Sequence, residues 1–384
     1  MILAAGRVIG ATREFAPGHV VVESGLITVV GEGIPRDADW VFPRGTLVPG
    51  FVDLQVNGSF GVDCLTADEA QVEKLSCDLA TTGTTGFLAT LVSGPMEWLR
   101  RAVRTLRRAR PAGARLLGIH LEGPVLNPRR CGAHDPRHLR APDDPEVWDL
   151  IADALPDLQV CTLAPELPGA EDLMRRLVQE RVVVAIGHTD ATYEEARRAL
   201  EHARLVTHLF NAMRGLHHRE PGVVGAVVED PRCVVALIPD GVHLHPAVVR
   251  MVYRLLGPDR LVLTTDACAA AGMPPGTYTL GGREVSVGSD GIPRLADGTL
   301  AGSGLRMDAG IANLVRWGIP LADAVRSGAT TPARLLGLAD RGAIAPGLRA
   351  DLCMLDEDYR AVLTVVAGQI VHPQVLPDPA PSSR

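Results

Sequence analysis

The 384-residue chain contains a single lysine, Lys74; the rest of its basic charge is arginine. That scarcity excludes some chemistry. A Schiff-base lysine, or a carbamylated lysine bridging two metals, needs an amine that can lose its proton, and arginine stays protonated. Lys74 itself lies in ADEAQVEKLSCDLATTG, a helical pattern that puts it on a wet face. The seven cysteines are scattered singly, with no CxxC pair, which reads as free thiols in a reducing compartment. Basic excess is also missing. With 38 Lys+Arg against 45 Asp+Glu and a net charge of −7, there is no electrostatic footprint for nucleic acid. No apolar run reaches membrane length, and the start of the chain lacks a basic region leading into an apolar one. The expectation is a soluble cytoplasmic protein with neither nucleic acid nor membrane as partner.

The stretch that organises the rest runs over residues 182–213. VVVAIGHTDAT and RLVTHLFNAM are short β-branched runs, each ending in a histidine, His188 and His208. Such runs, bounded by turn residues, read as buried strands of a parallel sheet. Between them, residues 193–203 carry apolar side chains at helical spacing, with Thr192 placed as N-cap before Glu194 and Glu195. An imidazole therefore stands at the carboxyl end of each of two successive strands, where parallel α/β sheets bind ligands.

The same alternation spans the middle of the chain. Strands are expected over 50–56, 86–92, 115–121, 160–163, 182–187, 205–209, 233–239 and 260–265, with helices between most of them. Eight such units point to an α/β fold, a (β/α)8 TIM barrel. An open doubly wound sheet is the runner-up, unsupported because no GxGxxG or P-loop follows the early strands. Residues 273–299 are Gly-rich hairpins inserted after the eighth strand. Both chain ends are β in character. The expected division is a small β-sandwich from residues 1–48 and 342–373, a barrel over 49–341, and a Pro-rich disordered tail over 374–384.

The strand ends carry the chemistry. The third gives Glu122 in GIHLEGP, the fifth and sixth His188 and His208, and the eighth Asp266 in LVLTTDA; Asp240 and His243 follow the seventh. Taken singly, Glu122 and Asp266 read equally well as capping or salt-bridged carboxylates, and each histidine as structural. Taken together, one carboxylate and two imidazoles with an open fourth position are the ligand count of a catalytic zinc site. Such a cation brings the pKa of its water toward neutrality. Asp266, unliganded and beside it, is the candidate to take the proton.

These residues sit in motifs that resemble the amidohydrolase superfamily, and within it the deacetylases of N-acetylhexosamine 6-phosphates. The motifs are PGFVDLQVNG, HLEGPVLNPRRCGAHD, IGHTDATYEEA, THLFNAMRGLHHREPG, DGVHLHP, LTTDACAAAG and GTLAGSGLRMDAGIANLV, and they cover nearly the whole chain. The resemblance implies hydrolysis of the acetamide of N-acetyl-D-glucosamine 6-phosphate in amino-sugar catabolism and cell-wall recycling. It implies Glu122, His188 and His208 as ligands of one divalent metal, most simply zinc, and Asp266 as the catalytic carboxylate. It places His134 on the acetamide carbonyl, and Asn211 and Ala212 near the sugar phosphate. His243 becomes a phosphate or sugar ligand. Arg219 becomes a phosphate ligand reaching the neighbouring active site of a homodimer. The chain departs from the binuclear members of the superfamily in one place. Where they carry an HxH pair, it reads Gln55-Val56-Asn57, and amides are poor transition-metal ligands. One metal per site is therefore expected. Two rival functions remain: an amidohydrolase of another N-acyl substrate (an N-acyl-amino acid or a different N-acetylhexosamine phosphate), and a catalytically dead barrel used as a scaffold.

Overall fold

The computed structural model describes residues 1–373; the tail over 374–384 lies outside them. Its centre is a parallel sheet of eight strands in sequential order: β1 (Phe51–Val56), β2 (Thr84–Val92), β3 (Arg115–Glu122), β4 (Leu158–Leu163), β5 (Val183–Ile186), β6 (Leu205–Val206), β7 (Val234–Leu237) and β8 (Leu261–Leu263). A parallel bridge between Val56 and Ala267 brings the last strand back to the first and nearly closes the barrel. Every residue of β1 and β2 is buried. That is why these strands read as continuous rather than alternating apolar runs: the barrel interior packs one face and the helices cover the other. The interior is filled by Val52, Leu54, Leu88, Val160, Leu205 and Val262, so the barrel is solid below its mouth.

The helices follow the expected logic. Met96–Arg108 buries Met96, Leu99, Ala102, Val103 and Leu106, a stripe at three- and four-residue spacing against the sheet. Tyr193–Ala199 starts in a capping box: the Thr192 hydroxyl accepts from the Glu195 N–H, and the Glu195 carboxylate accepts from the Thr192 N–H.

Strands from both chain ends form a second, mixed sheet of eight strands. Ile2–Ile9 runs parallel to Trp40–Pro49, which pairs antiparallel with Leu352–Leu355 and so joins the two ends. Leu3, Val20, Ile27, Leu47, Leu352 and Leu363 supply its core. After β8 the chain leaves the barrel as a three-stranded sheet of Gly276–Leu280, Arg283–Val287 and Pro293–Arg294. Its first turn leans over the barrel mouth, and Leu280, Gly281 and Arg283 wall the cavity there.

Candidate active site

Glu122 is the last residue of β3; His188, His208 and Asp266 follow β5, β6 and β8 by two or three residues. All four are buried, and all line one cavity of about 270 Å³ at the carboxyl ends of the strands. His188, His208 and Asp266 have φ of +49°, +28° and +51°. Left-handed backbone at a non-glycine residue costs about 1–3 kcal/mol and is tolerated where the surroundings fix it. Here it ends each extended run and turns the chain over the mouth.

Glu122 Oε1 stands 3.2 Å from His188 Nε2 and 3.1 Å from His208 Nε2, and the two ring nitrogens are 3.1 Å apart. Donors at zinc-ligand distance in a tetrahedral site stand roughly 3.3 Å from one another, so this triangle fits a single cation. The tautomer of His188 fits as well. Its Nδ1–H donates to the Arg130 carbonyl at 2.9 Å, which leaves the Nε2 lone pair facing the other two donors. Burial pushes the Glu122 carboxyl up, but its polar contacts with His134, His188 and His208 outweigh it and hold the group well below its usual range.

His134 is close enough to suggest a fourth ligand, since one atom each of Glu122, His134 and His188 lie within 4.8 Å of one another. Its tautomer argues otherwise. The Ser93 backbone N–H donates to His134 Nδ1 at 3.1 Å. A backbone amide can only donate, so Nδ1 holds the lone pair and a neutral ring carries its proton on Nε2. Burial, reinforced by His188, pushes the His134 pKa down to about 4, so the ring is neutral at pH 7. Nε2, 3.6 Å from Glu122 Oε2, is therefore a hydrogen-bond donor aimed into the cavity.

Asp266 is pushed up to about 6 by burial and by the charge of Glu122. Its Oδ1 accepts from Asn57 Nδ2 at 2.7 Å, which leaves Oδ2 for other work. Gln55 Nε2 donates to Glu122 Oε1 at 2.9 Å. The two amides that stand in place of HxH are thus hydrogen-bond donors to the site's two carboxylates. Their sequence positions gave only a negative signal, and the Ser93 amide gave none.

Asn211, Ala212 and His243 also line the cavity, with His243 Nδ1 held against Asp240 Oδ2 at 2.6 Å. Arg219 does not line the cavity of its own chain. It is exposed, on a loop with His217 and His218. Arg283, which sequence reasoning did not single out, lines the cavity and donates to the Ala133 carbonyl at 2.9 Å.

The chain is similar to known proteins over most of its length. The sequence model of the Amidohydrolase family matches residues 46–371. An N-acetylgalactosamine-6-phosphate deacetylase of Escherichia coli O157:H7 is 38% identical over 361 residues, covering 91% of this chain and 93% of the relative. An N-acetylglucosamine-6-phosphate deacetylase of Vibrio furnissii is also 38% identical, covering 88% and 86%. Among solved structures, a mutant N-acetyl-D-glucosamine-6-phosphate deacetylase of Mycobacterium smegmatis in complex with N-acetyl-D-glucosamine-6-phosphate superposes with a TM-score of 0.92 at 39% identity, over 97% of this chain and 99% of that one.

Proposed function

The chain belongs to the amidohydrolase family, and we propose that it hydrolyses the acetamide of N-acetyl-D-glucosamine 6-phosphate to D-glucosamine 6-phosphate and acetate, a step of amino-sugar catabolism. The observation that carries this reading is the Glu122–His188–His208 triangle with Asp266 and the His134 Nε2–H around one cavity.

Glu122, His188 and His208 would hold a divalent cation, and the chemistry it would supply when bound is a water of lowered pKa and a polarised acetyl carbonyl. Asp266 Oδ2, the oxygen that Asn57 leaves free, takes the proton of the attacking water and holds it for the next step. The His134 Nε2–H donates to the carbonyl oxygen as negative charge develops there, the kind of preorganised contact that contributes most to acyl transfer. When the C–N bond breaks, Asp266 returns the proton to the departing sugar amine, and acetate leaves. Asn211, Ala212 and His243 hold the sugar phosphate, which contributes through orientation.

Zinc suits this donor set of two nitrogens and one oxygen. The seven cysteines are all unpaired, which suits the reducing cytoplasm; among the described residues no helix is long and apolar enough to cross a membrane. Residues 49–341 act as the catalytic unit, with 1–48 and 342–373 as the accessory β domain. A homodimer that places Arg219 at the partner's phosphate accounts for two features together: an exposed arginine that does not line its own chain's cavity, and the exposed Leu216, Val228, Met251 and Leu255 lining an apolar groove. The guanidinium can grip a phosphate through two parallel hydrogen bonds.

The test is acetate release from the 6-phosphates of N-acetylglucosamine, N-acetylgalactosamine and N-acetylmannosamine by the purified, metal-analysed protein. Turnover fastest on the glucosamine compound is the expected result. Turnover confined to an N-acyl-amino acid, or none on any amide, would overturn the reading.

A further inference from the structure

Outside the ring of site residues, one carboxylate ties three segments of the barrel mouth together. Asp190 lies two residues beyond His188, and its side chain is largely buried, at 17% exposure. Its Oδ1 accepts from Arg130 Nε at 3.0 Å and Nη2 at 2.7 Å. Its Oδ2 accepts from Arg214 Nη2 at 3.0 Å, and its backbone carbonyl from Arg214 Nε at 2.9 Å. Each carboxylate oxygen thus serves a different arginine.

Both arginines lead back into the site. The Arg130 carbonyl is the acceptor that fixes the Nδ1–H of His188, so the guanidinium that Asp190 holds belongs to the residue orienting that imidazole. Arg214 lies two residues beyond Ala212. The segment before it is zipped to the His188 segment by backbone hydrogen bonds from Thr189 N to Ala212 O at 3.1 Å and from Arg214 N to Thr189 O at 3.1 Å. Ala212 has φ of +48°, so the Asn211–Ala212 turn is held in a conformation that local preference does not favour. Without the carboxylate, two guanidinium groups would face each other in a half-buried pocket, and both segments would have to move apart.

We propose that Asp190 is a positioning residue for both halves of the site: through Arg130 it fixes the direction of His188, and through Arg214 it fixes the Asn211–Ala212 turn against the substrate. The inference rests on the reading of His188 as a cation ligand and of that turn as a substrate contact.

The test compares Asp190→Asn, Arg130→Met and Arg214→Met with the unmodified protein. It reads the zinc dissociation constant by chelator competition, KM and kcat for N-acetyl-D-glucosamine 6-phosphate at saturating zinc, and the thermal midpoint. Groups that orient metal ligands change metal affinity by roughly 10–100-fold when removed. Asp190→Asn should weaken zinc by about tenfold or more and raise KM, with kcat little changed once zinc and substrate saturate. Arg130→Met should reproduce the zinc effect without the KM effect, and Arg214→Met the reverse. A merely structural role would lower the thermal midpoint and leave zinc affinity and KM at their unmodified values in all three, which would overturn the proposal; so would identical profiles for the two arginine variants. Should Asp190→Asn fail to fold, the two arginine variants decide the question, because each leaves Asp190 one ion pair. Failure of the underlying functional reading looks different: the unmodified protein would then bind no zinc or release no acetate.

Discussion

Asp266→Asn separates chemistry from stability, because the two should move in opposite directions. Asparagine keeps the size of the side chain. With its amide oxygen toward Asn57 it keeps the 2.7 Å hydrogen bond that Asp266 Oδ1 now makes. What it loses is a base at Oδ2. General acid–base catalysis contributes typically 10²–10⁴-fold, so kcat should fall by about that factor, or about 3–5 kcal/mol of barrier. Stability goes the other way. The folded Asp266 carboxyl stands at about 6 against an ordinary value of 3.8. Below pH 3.8 the carboxyl is protonated in folded and unfolded chains alike, and nothing is lost. Between 3.8 and about 6 the unfolded chain releases the proton while the folded chain keeps it, so stability falls as pH rises. Above that window the cost is fully present, and at 1.36 kcal/mol per unit it reaches about 3 kcal/mol. The measurement belongs in chelated protein, since a cation in the site would draw the carboxyl down. Chemical denaturation at pH 4 and pH 8 should find Asp266→Asn more stable than the unmodified protein at pH 8, with the difference shrinking toward zero at pH 4. A kcat within tenfold of normal would remove Asp266 from the proton transfer. A stability difference equal at both pH values would refute the electrostatic reasoning.

His134→Ala should lower kcat by about 10²–10³-fold, the usual effect of losing one oxyanion donor, with zinc content unchanged by elemental analysis; His208→Ala should lose the zinc itself. Equal zinc loss in both would make His134 a ligand and contradict the tautomer argument. Arg219→Ala should raise KM for the phosphorylated sugar far more than for N-acetylglucosamine, and equal effects on the two would remove its phosphate role. Apo protein titrated with zinc in a calorimeter should take up one equivalent per chain at high affinity; two would contradict the single-cation reading.

Much of the barrel was legible because buried parallel strands advertise themselves. The run expected over 50–56 is the strand Phe51–Val56, and the one over 86–92 falls inside Thr84–Val92. Legibility fails at the strand ends. The sixth strand, expected over 205–209, is only Leu205–Val206, because the chain turns left-handed at His208 to bring the ring into the cavity. Apolar pattern reports burial, and Thr207, His208 and Leu209 are all buried; it does not report φ. Glu122, His188, His208 and Asp266 could be found because ligand-type residues at the ends of four strands of one barrel are an unusual coincidence. Ser93 could not be found: its part is played by a backbone N–H, which every residue but proline has. The Gly-rich insert was visible as hairpins, but nothing in its sequence says that Gly281 and Arg283 wall the cavity.

The amides of β1 show why a negative signal in a sequence was only half of the information. Gln55 and Asn57 are poor metal ligands, which argues against a second cation by what they lack. Their geometry adds a positive reason. Gln55 points its N–H toward Glu122 and Asn57 points its N–H toward Asp266. The positive ends of two amide dipoles therefore face the carboxylates on the side of the cavity where the HxH pair of a binuclear site would stand. A second cation placed between an amide N–H and its carboxylate would have to displace that hydrogen bond first. The amides also do part of what a second ion would do, since each lowers the cost of keeping a buried carboxylate ionised. One cation and two neutral donors are then a self-consistent set. Converting Gln55 and Asn57 to histidine removes those donors as well as adding ligands, so the double variant should disturb Asp266 even where it gains a metal.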